Sequence, residues 1–156
     1  MTGTAMGHST RAGSLGSMDV GDWPEELPVV QVRLARPTDR LEAVVEFYRD
    51  GLGLPVITTF EHHAGYSGVI LGLPGRDYHL EFVHHEDGSP GPAPTDDNLL
   101  VLYLPDSKAI TAATLRLGVL GFEPVPPENP YWEDQGVTFA DPDGWRVVLF
   151  DDPGFS

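Results

Sequence analysis

From residue 29 onward, apolar and polar positions alternate in short runs, broken twice by stretches of helical periodicity. Val30, Val32 and Leu34 alternate with Gln31, Arg33 and Ala35, which predicts a strand over Val29–Ala35 with two unlike faces. Pro37 interrupts it. Asp39 with Glu42 three residues on is a helix-start signature, and Leu41, Val44, Val45 and Tyr48 then fall on one helical stripe that Gly51 stops. Strands are predicted over Pro55–Glu61, Tyr66–Gly72 and Asp77–His84, with Leu73-Pro74-Gly75-Arg76 suited to a type II turn. The first half thus reads β-α-β-β-β.

Residues 85–97 are rich in Pro, Gly and acidic side chains and read as a connector that spaces rather than packs. After it the pattern returns. Leu99–Leu104 is strand-like, and Ser107 is placed to cap a helix whose inner face carries Ile110, Ala113, Thr114 and Leu117, with Gly121 as its stop. Phe122–Val125, Gly136–Ala140 and Trp145–Phe150 follow as strands, the last two joined by Asp141-Pro142-Asp143-Gly144, a type I turn sequence. Asp39 and Asp106 are separated by the same 67 residues as Tyr78 and Trp145, so an internal repeat is the simplest account. The predicted organisation is a disordered leader over 1–27, module one over 28–84, a linker over 85–97 and module two over 98–152, with the modules forming one domain. The fold class is α+β.

Composition narrows the function. The chain has 156 residues and no cysteine, which excludes disulfides and thiolate chemistry. Its 24 acidic and 9 basic residues give a net charge of −15, which argues against binding a nucleic-acid backbone. No run approaches the roughly 18 apolar residues that span a membrane, so no membrane partner is expected. The leader lacks the apolar core of a signal peptide, which makes a cytoplasmic location the expectation.

The densest chemistry lies in Tyr78–His85. Strand alternation puts His79, Glu81 and Val83 on one face and Leu80, Phe82 and His84 on the other. A His and a Glu two residues apart on one face suit metal binding, proton transfer or a solvated surface. The pairs His62-His63 and His84-His85 read as solvated.

Phe47-Tyr48-Arg49-Asp50-Gly51-Leu52-Gly53-Leu54 at the end of the first helix, and Asp141-Pro142-Asp143-Gly144 before the last strand, resemble the vicinal oxygen chelate superfamily of glyoxalases, bleomycin-resistance proteins and extradiol dioxygenases. Leu34-Ala35-Arg36-Pro37-Thr38 and Asn129-Pro130-Tyr131-Trp132 are similar to its YycE-like branch. The resemblance covers about residues 29–150. It implies two half-barrel modules forming a cup, a homodimer, and, in metal-dependent members, ligands on the first and last strand of each module. Glu81 matches one such position. Val148, its counterpart in the repeat, has no donor atom, and the first strands offer Gln31 or Arg33 and Asn98. Glu81 with His79 falls short of the three protein ligands that a zinc or iron site normally takes.

The cup is then expected to be lined by Gln31, Arg33, His79, Glu81, Asn98, Arg146 and Val148, with Tyr66, Tyr131 and Trp132 closing it. Three functions fit. The first is a metal-free binding protein for a small molecule, cationic or aromatic, with no cofactor. The second is a glyoxalase-type lyase or isomerase with Glu81 and His79 as catalytic groups, with or without a divalent metal ion. The third is a non-catalytic dimerisation module.

Overall fold

The alternating runs pair into two sheets because each carries one continuous apolar face that must leave water. The structure is a computed structural model and describes residues 22–73 and 77–154. Most of the predicted leader and the Pro74-Gly75-Arg76 part of the predicted type II turn lie outside the described residues. Residues 22–30 form a unit of their own, with a turn closed by the Leu27 amide on the Pro24 carbonyl at 2.9 Å.

In the main unit, β1 (Val32–Pro37), β2 (Val56–His63), β3 (Tyr66–Gly72) and β4 (Tyr78–His85) form a sheet in the order β1-β4-β3-β2. A second sheet has the order β5-β7-β6, from β5 (Leu99–Leu104), β6 (Gly136–Ala140) and β7 (Arg146–Asp151). In each sheet the first strand runs parallel to the last, β1 to β4 and β5 to β7. The helix of each half is the crossover that brings the chain back, α1 (Leu41–Val45) and α2 (Ser107–Val119). The fold is α+β, with the two halves repeating one plan.

Several predicted boundaries move, each for a local reason. β1 starts at Val32 and runs through Pro37, so Gln31 precedes the strand. Asp39 does not cap α1. The Thr38 hydroxyl accepts from the Arg40 amide at 2.9 Å, and the Asp39 carboxylate accepts instead from the Ser89 amide of the connector. On α2 the cap is Asp106, not Ser107, accepting from the amides of Lys108 and Ala109 at 2.9 and 3.1 Å. Phe122–Val125 is not a strand. It contributes one bridge, Val125 to Thr138, because Pro124, Pro126 and Pro127 remove the amides that a ladder needs.

After Val45 the first helix widens into a π-helical turn, Glu46–Gly51. Its extra residue per turn puts the neighbours Phe47 and Tyr48 both into the core, where α-helical spacing would have chosen only Tyr48. That core is shared by both halves. Val44, Phe47 and Tyr48 pack with Ile110, Ala113 and Leu117 of α2, and with Leu80 and Phe82 of β4 and Val147 and Leu149 of β7. Phe47 meets Phe122 edge-on at 5.0 Å, and the Arg116 guanidinium donates to the Gly51 carbonyl at 3.1 Å. A side chain at Gly51 would overlap the Leu117 side chain, so Leu117 packs directly on the Gly51 backbone there.

One buried polar contact crosses this core. The Tyr48 hydroxyl donates to the Asp141 carboxylate at 2.7 Å, over a separation of 93 residues. Asp141 opens the predicted turn, whose Gly144 amide bonds the Asp141 carbonyl at 2.9 Å with Gly144 at φ 86°. The carboxylate also accepts from the amides of Asp143 and Trp145 at 2.9 and 3.0 Å. Burial raises the Asp141 pKa, opposed by these hydrogen bonds, and burial followed by the Asp141 charge holds the Tyr48 phenol well above its usual value.

The connector packs. The Trp145 indole donates to the Gly91 carbonyl at 2.9 Å, the Ala93 amide bonds the Asp143 carbonyl at 3.0 Å, and Ser89 is buried. Arg36 lies over the Trp145 ring at 4.2 Å. Gly91 sits so close to Pro37 that a Cβ there would overlap the Pro37 carbonyl oxygen. Gly91→Ala is therefore expected to lower stability by about 1–3 kcal/mol, read as the urea midpoint, because backbone and not a flexible side chain stands in the way.

The Asp141 site makes stability depend on pH. Its folded pKa is raised, so its contribution is present below the ordinary carboxylate value and is lost as the pH rises through the raised one. At about pH 7 the Tyr48 hydroxyl helps to solvate the carboxylate. Tyr48→Phe is expected to cost about 1–3 kcal/mol there, and less as acid protonates Asp141. Urea unfolding across that range measures it, and a cost that does not change with pH would count against this account.

Candidate functional site

Each sheet turns one face to the shared core, and its second face is partly covered, with Ile70, Thr138, Val148 and Phe150 buried on it. Register fixes which residues share these second faces. On the first sheet, Arg33 pairs with His79 and Ala35 with Glu81 between β1 and β4, while Ile70 of β3 lies opposite Glu81 and Gly68 opposite Val83. On the second, Leu99 pairs with Arg146 and Val101 with Val148, and β6 sets Thr138 against Val148 and Gly136 against Phe150.

His79, Glu81, Arg33, Arg146 and Val148 therefore stand where alternation puts them. Gln31 lies exposed before β1. Asn98 precedes β5, with its side-chain oxygen accepting from the Thr95 hydroxyl at 2.7 Å and its carbonyl accepting from the Arg146 amide at 3.4 Å.

These two faces differ in chemistry. On the first, the Glu81 side chain is 17% exposed and its carboxylate lies 3.9 Å from the Arg33 guanidinium, which is 43% exposed. The His79 Nδ1 beside them is buried and has no hydrogen-bond partner among the described residues. A buried nitrogen left in that state is costly unless something supplies the missing bond.

On the second face, Val148 is buried where Glu81 has its counterpart. Phe150, two residues on, gathers the aromatic loop: Trp132 meets it edge-on at 5.0 Å and Tyr131 stacks at 5.8 Å, from the 3₁₀ turn Pro130–Trp132. The Asn129 side chain caps that turn by accepting from the Tyr131 amide at 3.0 Å. Arg146 donates to the Pro126 carbonyl at 2.7 Å and pairs with Asp96 of the connector at 3.3 Å. Tyr66 belongs to the first face and meets His85 at 4.5 Å.

A metal ion does not fit this donor set. Among the described residues no group of three or more His, Asp or Glu side chains converges. Glu81 has a cationic neighbour in Arg33, and Val148 cannot coordinate. His62 and His63 are exposed on the β2–β3 hairpin, as expected. His84 and His85 are not simply solvated. The His84 Nδ1 lies 3.0 Å from the Thr38 carbonyl and 3.4 Å from the Asp39 carboxylate, and the His85 Nδ1 accepts from the Asp87 amide at 3.1 Å.

Between the outer edges of β1 and β5 lies an apolar groove of about 710 Å³. Val32, Leu34 and Leu80 line one wall and Leu100 and Leu102 the other, with His79 at its margin. Sequence reasoning placed lining residues on faces and missed this seam. The signal for it was Leu99-Leu100-Val101-Leu102, a run apolar on both faces, which a strand carries only when both sides are to be covered. Phe150 and Thr138 were also within reach, the first by alternation from Val148 and the second by counting back through the Asp141–Gly144 turn.

Comparison with known proteins places this geometry. Residues 32–83 match the YycE-like N-terminal domain and residues 97–151 the YycE-like C-terminal domain. The uncharacterized protein YycE of Bacillus subtilis (strain 168) is 48% identical over 126 residues, 81% of this chain and 91% of that one. A crystal structure of a YycE protein of unknown function from Bacillus subtilis superimposes with a TM-score of 0.81 at 46% identity, over 85% of this chain and 97% of that one. Glyoxalase I of Leishmania major shares the fold at a TM-score of 0.58 and 19% identity, over 76% and 84% of the two chains. The chain belongs to the YycE-like family, within the glyoxalase/bleomycin-resistance (vicinal oxygen chelate) superfamily.

Proposed function

We propose that this protein binds a small organic molecule without a metal ion, in the groove between β1 and β5 at the seam of the two halves. The observation that carries this reading is the groove itself. It is largely apolar, its volume of about 710 Å³ falls in the range that small-molecule sites occupy, and Tyr78, His79 and Tyr103 are the polar residues among its lining. An apolar wall supplies affinity, and a few polar groups at a pocket's edge supply orientation. The pairing of Glu81 with Arg33 favours this reading over the lyase or isomerase alternative, because the carboxylate already has a cationic neighbour.

A homodimer belongs to the same proposal. β1 and β5 are the edge strands of their sheets, and Leu34, Tyr78 and Tyr103 are substantially exposed beside the groove. A second copy laid along these edges would roof the groove and cover both edges. No helix among the described residues is long and apolar enough to cross a membrane, and we place the protein in the cytoplasm.

Thermal unfolding against a panel of uncharged aromatic and aliphatic compounds tests the binding. A ligand at a hundred times its Kd is expected to stabilise the fold by about 2.7 kcal/mol, equally before and after chelator treatment. His79→Ala is expected to weaken that ligand about ten-fold. A panel with no stabilising compound, or stabilisation that chelator abolishes, overturns the reading. Sedimentation as a monomer at micromolar concentration would overturn the dimer.

A further inference from the structure

Arg146 stands at the start of β7, on the face of the second sheet turned away from the shared core, and its hydrogen bonding is incomplete. One guanidinium nitrogen, Nη1, donates to the Pro126 carbonyl at 2.7 Å and fixes the plane of the group. Nη2 lies 3.3 Å from a carboxylate oxygen of Asp96. Nε is buried and has no partner among the described residues. A guanidinium has its strongest interaction with a carboxylate when two parallel N–H groups meet its two oxygens at about 2.7–2.9 Å. Asp96, tethered to the connector, supplies a single longer contact along the Nη2 side and leaves Nε unused.

Two further observations fit. The Asp96 side chain is 57% exposed, while that of Arg146 is 13% exposed, so the carboxylate is the member that can leave. Thr138 is only 2% exposed and its hydroxyl has no partner among the described residues. Register sets Ala140 beside Arg146 and Thr138 beside Val148, which places the Thr138 hydroxyl one pleat along from Arg146 on the same face. The face therefore holds a guanidinium fork with one arm idle, and beside it an unpartnered hydroxyl that is itself buried. Leu99 and Ala140 flank it with apolar surface.

We infer that Arg146 is a carboxylate-binding site for small organic acids, and that Asp96 is a built-in counter-ion which the ligand's carboxylate displaces. A free carboxylate can engage Nη2 and Nε together, where Asp96 engages one. Asp96 keeps Arg146 neutralised while the site is empty, so the cation is never left unpaired on a half-buried face. In a chain of net charge −15, long-range repulsion works against any anion, and the local fork has to overcome it. The site is separate from the seam groove, and failure of either leaves the other standing.

Calorimetric titration of the full chain with benzoate tests this, with benzyl alcohol as the neutral analogue and inorganic phosphate as a non-carboxylate anion. Benzoate is expected to bind and benzyl alcohol not to. Asp96→Asn removes an exposed competitor without touching the core, and is expected to tighten benzoate two- to five-fold, about the strength of a surface ion pair. Arg146→Lys keeps the charge and loses the fork, and is expected to weaken benzoate about ten-fold. The Arg146 Nε–H resonance is expected to shift on adding benzoate. Unchanged or weaker benzoate binding in Asp96→Asn, full binding in Arg146→Lys, or phosphate binding more tightly than benzoate overturns the inference.

Discussion

The contact between the Tyr48 hydroxyl and the Asp141 carboxylate is short, buried, and made between a helix of one half and a hairpin of the other. A buried carboxylate is tolerable only when its lone pairs are filled, and here a phenol and two backbone amides fill them. Meeting that requirement fixes more than one bond. The Asp141 backbone begins the turn into β7, so its placement sets where Arg146, Val148 and Phe150 emerge relative to the first half. The π-helical turn delivers Tyr48 to that point. Burial of apolar area supplies most of the favourable free energy, but it has no direction. The hydrogen bond supplies the direction.

The same constraint explains why the connector is not slack. Trp145 follows the turn, and its indole reaches back to Gly91 while Arg36 covers its face. Ser89 meets Asp39, and Asp96 meets Arg146. The chain between the halves is thus fastened at successive points to β1, to the start of α1 and to the β6–β7 turn. Composition suggested a spacer, because Pro and Gly are common in flexible segments. The same residues also serve where backbone must lie against backbone, as Gly91 does on Pro37.

Much of the plan was legible in the sequence because period-two alternation and turn chemistry are local signals. β3, β5 and β6 begin and end as predicted, and the shared offset between the halves identified β4 and β7 as counterparts. What failed was tertiary. A single-residue difference between the halves puts Leu99, not Leu100, at the position equivalent to Arg33. A slip of that size exchanges the two faces of a strand and removes Asn98 from the face of Leu99, whereas Gln31 keeps the parity of Arg33 but precedes β1. Phe122–Val125 had strand-like composition, but its neighbouring prolines left too few amides. Alternation put Glu81, His79, Arg146 and Val148 on the sheet faces that the register gives them. The Leu99–Leu102 run marked β5 as covered on both sides, but its partner across the groove, β1, lies 60 or more residues away and left no local signal, and the unpartnered atoms of His79 and Arg146 have no signature in a sequence.

A core common to both halves has a consequence for how such a chain can change. Phe47 touches Phe122, and Gly51 admits Leu117 only because it lacks a side chain. An alteration of volume on either inner surface is therefore felt by the opposite half, and the two copies of the original unit must drift together there. No such tie binds the sheet faces turned away from that core. One copy can keep a glutamate while its twin becomes valine, and neither substitution disturbs the packing between them. Duplication followed by this uneven freedom turns a symmetric scaffold into one with two unlike working surfaces.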